Sequence, residues 1–466
     1  MNTFSINSSD LKRGDSLVPE FYYYSSIIKT ENIQKGLQYT DLTHCHISDG
    51  EHSAIPRVEV PGVRYLYGRN IREGCIDFDP ISDIPYITES DYNKVTRTHI
   101  QQNDVLIPIV GTIGKSAIYK QEYVGVAGIP RHIARIRVPK KSDITPEYLS
   151  VFFRSKYGKV QLFSLTTGNI QPLLSLKNLK SVEVPIAKNN IIEEITKNEQ
   201  HANELLISSN KKLNAAFELF YSSIGFDIRN IKGDFTFSVK SQEVLNKDVW
   251  TPNHYNRMYE NISKKVKEQL HVALLGDVST SFHGVEVGSC NYNGYLEKEK
   301  NDKPFIRTSD LVNYEVDLYP DFFVDNSIFQ EISSLPQPGD VLFTKDGKIG
   351  ATAMITSYDE CLVSSGVQII RVNEEGIKLN LTNEYLFLIL SIHEIGYYEA
   401  LRRTVYASTI PHLRPEKLKD IPIPILSNNI IEKITLLVKE AFDLKNQRKP
   451  LLKNNDSIFE KFIKNF

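Results

Sequence analysis

Apolar positions along this chain change their period three times. Short apolar and β-branched runs broken by glycine turns fill about the first 190 residues, a helical spacing follows, and the same succession then returns. From Asn189 a long helix is predicted. Ile192, Ile195, Ala202, Leu206, Leu213, Ala216 and Phe220 keep a 3-4 spacing, with Glu199 and Ser209 as polar interruptions. From Asn428 a second helix is predicted, with Ile431, Ile434, Val438, Ala441, Leu452 and Phe459 at the equivalent places; Pro450 is expected to kink or split it. Neither stripe can be buried alone. The two helices are therefore expected to pair as an antiparallel coiled coil, which gives the chain an internal pseudo-two-fold. About 30 residues at about 1.5 Å each make a rod of roughly 45 Å.

The succession is a tandem duplication. Asn103–Ile118 (NDVLIPIVGTIGKSAI) returns as Gly339–Met354 (GDVLFTKDGKIGATAM), Thr145-Pro-Glu-Tyr-Leu as Thr382-Asn-Glu-Tyr-Leu, and Asn189-Asn-Ile-Ile-Glu as Asn428-Asn-Ile-Ile-Glu. Weaker echoes lie upstream, Asp15 and Pro19 against Asp248 and Pro252, and YLYGRNIREGCIDF near Asn70 against FIRTSDLVNYEVDL near Asp310. In each copy a strand leads into a glycine hairpin turn, and a helical piece follows (Glu147–Phe153, Glu384–Leu390). Proline-rich exits, Val184-Pro185 and Ile421-Pro-Ile-Pro424, are expected to stop regular structure. The expected class is α+β: two tandem mixed α/β globular domains (1–188 and 229–427), each followed by a helical spacer (189–228 and 428–466).

Composition narrows the function. The 466 residues carry a net charge of −2, with 41% hydrophobic and 24% charged residues, which excludes a polycation and wholesale disorder. No apolar run approaches a membrane span and the N-terminus lacks a signal-peptide core, so a chain with no membrane partner is expected. Cys45, Cys75, Cys290 and Cys361 lie far apart with no CxxC, which points to reduced thiols in a cytoplasm. Gly114-Lys-Ser lacks the first glycine of a phosphate loop, since Ile109 stands there. His44-Cys45-His46 has no second ligand pair, and successive strand residues point to opposite faces, so no metal site is expected. No GxGxxG, HExxH or GxSxG motif is present either, and no catalytic residue is assigned.

What remains is polar and basic chemistry on turns. Residues 92–188 hold fifteen lysines and arginines against five carboxylates. Residues 335–427 hold nine against eleven, so that copy must rely on focused patches. Cations on tight turns suit phosphates and guanine edges, and amide or hydroxyl side chains suit base edges. The candidate DNA contacts in the first copy are Arg69, Arg97, Thr112, Lys115, Arg131, Asn169 and Gln171. Those in the second are Arg307, Lys345, Lys348, Arg402, Arg403, Tyr406, His412 and Arg414.

Taken in order, the chain resembles the specificity subunits of type I restriction-modification systems. The resemblance rests on the paired Asp-Val-Leu…Gly-x-Ile-Gly turns (Asp104 to Gly114, Asp340 to Gly350), Thr-Gly-Asn-Ile-Gln at 167–171, the Leu-Lys…Pro exits (Leu179 to Pro185, Leu418 to Pro424) and the Asn-Asn-Ile-Ile-Glu helix starts. The second copy departs from it, with Ser408-Thr-Ile-Pro411 aligned on Gly168-Asn-Ile-Gln171. The resemblance implies two target-recognition domains, each reading one half of a split asymmetric site on double-stranded DNA, with helices that fix the gap. It also implies a non-catalytic subunit with two methyltransferase partners and restriction-translocase partners, to which S-adenosylmethionine, ATP and magnesium would belong. Two alternatives stay open at this point. One is a DNA-reading subunit or inhibitor of another phage-defence system, which identifying the native partners would separate. The other is a protein-only scaffold, which a salt-dependent DNA shift would oppose.

Overall fold

The computed structural model describes residues 37–58, 62–78, 81, 84–168, 171–233, 236–245, 249–406 and 410–464. Asn169, and the echo residues Asp15, Pro19 and Asp248, lie outside these. The chain forms two compact units. Unit 1 takes Met1–Phe78, Ser82–Glu204 and Pro450–Phe466; unit 2 takes Asp79–Ile81 and Leu205–Lys449.

Each unit is built on the same four-stranded antiparallel sheet. In unit 1, β1 (His46–Asp49), β2 (Val105–Pro108), β3 (Ala117–Ile118) and β4 (Ile133–Arg137) lie in the order β1-β4-β2-β3. In unit 2, β5 (Ser279–His283), β6 (Val341–Thr344), β7 (Thr352–Met354) and β8 (Val367–Val372) repeat it as β5-β8-β6-β7. β2 and β6 are buried at every position, which is why both read as continuous apolar runs without alternation. A salt bridge braces each sheet. Arg137 grips both oxygens of buried Asp104 at 2.8 Å, and Arg371 grips those of Asp340 at 2.7 and 2.8 Å. A second small sheet recurs too, with one parallel ladder in each unit, Val63–Tyr65 on Ala127–Gly128 and Lys303–Ile306 on Leu362–Val363.

Four helices complete the frame: α1 (Pro146–Arg154), α2 (Asn189–Ser223), α3 (Asn383–Ser391) and α4 (Asn428–Lys464). Thr145 and Thr382 cap α1 and α3 by accepting from the N–H of Tyr148 and Tyr385. The same two hydroxyls meet the long helices, at Thr196 (2.7 Å) and Thr435 (2.8 Å). Tyr148 and Tyr385 donate to the carbonyls of Pro185 and Pro424, each at 2.8 Å. The proline exits do not stop regular structure. Val184–Pro185 pairs with Tyr39–Thr40 and Pro422–Pro424 with Val272–Leu274, because a proline fits a two-strand ladder where its missing N–H is not required.

Both long helices contribute to both units, running antiparallel within each. In unit 1, Ile192 and Ile195 share a core with Phe459, Phe462 and Ile463. Asn198 and Asn455 are 2.9 Å apart, and Asn455 also donates to the Ile195 carbonyl and to Glu199. In unit 2, Leu213 and Phe220 share a core with Ile431, Ile434 and Val438, and Lys212 meets Glu440 at 2.7 Å. Leu206 and Leu452 are buried as well. Pro450 does not split α4, which is helical from Asn428 to Lys464. A proline inside a helix costs about 3 kcal/mol, and contacts on both sides of it offset this. In unit 2, Lys449 binds Asp359 at 2.6 Å while Lys445 donates to the Asn313 carbonyl at 2.8 Å; in unit 1, Asn455 is fully buried.

Candidate nucleic-acid interface

The glycine turns are alike in backbone and in what they dock on. Gly111 and Gly114 have φ of 77° and 89°, and Gly347 and Gly350 have 67° and 82°, a region that L side chains avoid. A Cβ on Gly114 would lie 2.7 Å from the Phe163 ring, and one on Gly350 would lie 2.8 Å from the Tyr397 ring. The Gly111 N–H donates to the Pro172 carbonyl at 3.0 Å, and the Gly347 N–H to the Pro411 carbonyl at 3.0 Å. These bonds correct the alignment of the second loop. Pro172 corresponds to Pro411, so Gln171 matches Ile410 rather than Pro411, and His412 stands where unit 1 has Leu173.

In unit 1, Arg131 and Gln171 open onto one cleft of about 370 Å³ that Asp49, His52 and His132 also line. His52 donates to Asp49 at 2.8 Å, and Arg97 holds the other oxygen of the same carboxylate. Burial raises the Asp49 carboxyl, but the hydrogen bonds from Arg97 and His52 outweigh it and keep the group below its ordinary range. Burial, with Arg131 beside it, lowers His132. Thr112 is exposed on the turn, and Arg69 is exposed with its guanidinium 5.3 Å from the Tyr67 ring centre. Lys115 is half-buried near the buried Glu73–Lys159 ion pair, where burial raises the Glu73 carboxyl against the pull of Lys159 and, more weakly, of Arg154 and Lys115. None of these three lines the cleft. Asp49, His52 and His132 escaped the sequence reading because only the fold brings β1 beside Arg97, 48 residues away.

Unit 2 places its residues differently from expectation. Lys345 does not project into solvent. It is 7% exposed, its ammonium lies 2.6 Å from Asp346, and His412 holds the other oxygen of that carboxylate. The reason is register, because the Lys345 backbone bonds to Gly366 and Leu413 on both sides and turns the side chain inward onto Asp346. Lys348 is half-buried and donates to the Leu311 carbonyl at 3.2 Å. Tyr406 is 53% exposed on the hairpin Thr404–Tyr406/Pro411–Leu413, and Arg414 is exposed just beyond it. Arg307 is exposed with its guanidinium 5.0 Å from the Phe322 ring centre. Arg402 and Arg403 stand apart from the turn, sharing Glu399 and lining a second cleft of about 190 Å³.

Comparison with known proteins bears on the second of these turns. Residues 271–454 match the family model described as type I restriction modification DNA specificity domain. The chain is similar to the type I specificity subunits. It is 23% identical over 402 residues to the MjaIX specificity subunit of Methanocaldococcus jannaschii, covering 82% of this chain and 86% of that one. It is 28% identical over 125 residues to the EcoBI specificity subunit of Escherichia coli, a stretch covering 27% of this chain and only a quarter of the Escherichia coli subunit's length. Among solved structures, the S subunit of a type I system from M. genitalium shares 12% identity at a TM-score of 0.34, covering 92% of this chain and 96% of that one. The HsdS subunit from Thermoanaerobacter tengcongensis shares 15% at 0.27, covering 92% and 97%. The specificity-domain match covers β5 to β8, the second glycine turn and its hairpin. The sheet and glycine turn of unit 1 lie outside that match and carry the same strand order and docking bond. Among the described residues no helix is long and apolar enough to cross a membrane.

Proposed function

We propose that this chain is the DNA-recognition subunit of a type I restriction-modification complex, with each unit reading one half of a bipartite, asymmetric site. The observation that carries this is the glycine turn docked on its hairpin, present twice on the same sheet, once inside the matched specificity domain and once in unit 1. Two copies of one reader with different side chains suit two different half-sites. Gln171 and Leu173 against Ile410 and His412 are the clearest divergence. α2 and α4 would set the gap between half-sites and dock two methyltransferase subunits, with restriction-translocase subunits joining them in the cytoplasm. The chain itself would be non-catalytic. Methyl transfer with S-adenosylmethionine, base flipping, and ATP- and magnesium-dependent translocation would belong to those partners.

Methylome sequencing of cells that carry the complete system tests the reading. The expected result is one two-part motif with a fixed gap, lost when this chain is deleted. A contiguous motif, or methylation that persists without the chain, would overturn it. A demonstrably partner-free preparation should neither methylate nor cut DNA.

A further inference from the structure

The cleft at Arg402 and Arg403 is separate from the glycine turn and differs from it in charge. Lys267, Arg402, Arg403 and Lys417 line it, with His254 and Asp420. Among the described residues four cations therefore face one carboxylate, and counting Glu399 behind the arginines leaves four against two. The arginines are held rather than free to swing. Arg403 donates to the carboxylate and the carbonyl of Glu399 and to the Asp420 carbonyl at 3.0 Å, while one Arg402 nitrogen lies 3.5 Å from Glu399. The buried Arg402 Nε has no hydrogen-bond partner among the described residues, and Lys267 is exposed with no ion pair there. His254 donates from Nδ1 to the Arg402 carbonyl at 2.9 Å, which ties the ring to the helix end that carries both arginines.

The fold does not require these cations, as the duplicated unit shows. Gly158 and Gly396 fix the correspondence, since a Cβ on either would press on a carbonyl of the preceding helix, at Phe152 and at Leu390. At that offset Arg402 and Arg403 stand where unit 1 has Ser164 and Leu165. The unit 1 cleft there is lined by Tyr39, Phe152, Tyr157 and Leu165, with Glu183, and has no cation among the described residues. The paired arginines are therefore a feature of unit 2 alone. Unit 2 also needs a concentrated positive site, because residues 335–427 carry more carboxylates than cations.

We infer that this cleft is a phosphate-binding site, and that its ligand is a backbone phosphodiester of the DNA held by unit 2. Two pre-oriented guanidinium groups, with the Lys267 and Lys417 ammonium groups beside them, match the oxygens of one phosphate. A cleft of about 190 Å³ has room for one phosphate group. The site would position unit 2 on the duplex without reading sequence. This rests on the DNA-binding reading for its ligand, but not for its phosphate chemistry.

The test uses the full chain with Lys267→Gln and Lys417→Gln together, which leaves the arginine–Glu399 network intact. Duplex binding is measured on cognate and scrambled DNA over a salt series, and binding of inorganic phosphate by calorimetry. The expected result is a salt slope shallower by about 1.8, or about 0.9 for each ammonium removed from the phosphate, equal on both duplexes and with the methylated motif unchanged. Restoring charge with Lys267→Arg and Lys417→Arg should recover the slope. An unchanged slope for a variant whose parent binds DNA overturns the inference while sparing the DNA reading. A parent that binds phosphate but no duplex, with the variant losing phosphate, supports the phosphate site and overturns DNA as its source. A parent that binds neither overturns both.

Discussion

At the scale of single residues, the two lysines of the second turn separate into different roles. Lys345 neutralises Asp346 out of solvent, whereas Lys348 donates to the Leu311 carbonyl. Lys345→Ala should therefore act on stability. It leaves a partly buried carboxylate with His412 alone, costs about 1–3 kcal/mol, and lowers the melting temperature by several degrees with little change in the salt slope of DNA binding. Lys348→Ala should leave melting nearly unchanged and reduce the salt slope by about 0.9 on cognate and scrambled duplexes alike. If both variants melt and bind like the parent, the turn does not face DNA. His393 makes a pH prediction. Burial among Tyr397 and Tyr398 pushes its imidazole from 6.5 down to about 4. Between those values the unfolded chain binds more protons, so unit 2 keeps this stability above about pH 6.5 and loses it as pH falls towards 4. The loss should reach about 2 kcal/mol by pH 5. Urea melts of the parent and His393→Phe at pH 7 and pH 5 check this, since the variant should lose that part of the pH dependence.

At the scale of elements, the long helices hold their register through polar contacts that a heptad count leaves open. Glu199 reads as an interruption of the stripe, yet it accepts from Arg154 at 2.7 Å and from Asn455 at 3.2 Å, while Arg154 also binds Asp456 at 2.7 Å. Buried charges of this kind add little net stability but penalise every slipped alignment. Lys445 and Lys449 are likewise fully buried on α4, and Lys445, Arg448 and Lys449 pull the buried Glu315 carboxyl below its usual range against the effect of burial. A seven-residue deletion in α2 alone would break either the Asn198–Asn455 or the Lys212–Glu440 match, and should unfold or misassemble the chain. A matched deletion of seven residues from α2 and the facing seven from α4 should fold. It shortens the rod by about 10.5 Å, so the gap in the methylated motif should contract by about three base pairs. A folded variant with an unchanged gap would remove the helices from their role as a spacer.

At the scale of the whole molecule, duplication implies that the readers can be exchanged, and the structure adds a condition. Phe459 packs on Tyr148 and Phe152, so a graft of residues 1–188 from a related subunit must bring rings that accept α4. Such a graft should change one half of the methylated motif and leave the other intact; a change in both halves would mean that the units do not read independently. The sequence alone determined what local period and repetition encode: two copies of one α+β unit, both helix starts at Asn189 and Asn428, the buried stripes, and the turns that need glycine at positive φ. Each of these depends on residues close together in the chain or on comparing the chain with itself. Only the tertiary structure decided that α2 and α4 each serve both units, that Pro450 stays helical, that the second loop is shifted by one residue, and that Arg97 binds Asp49 while Lys345 turns inward. Those outcomes rest on contacts between distant segments, where burial and a charged partner outweigh local propensity, and no spacing in the sequence records which partner a side chain meets.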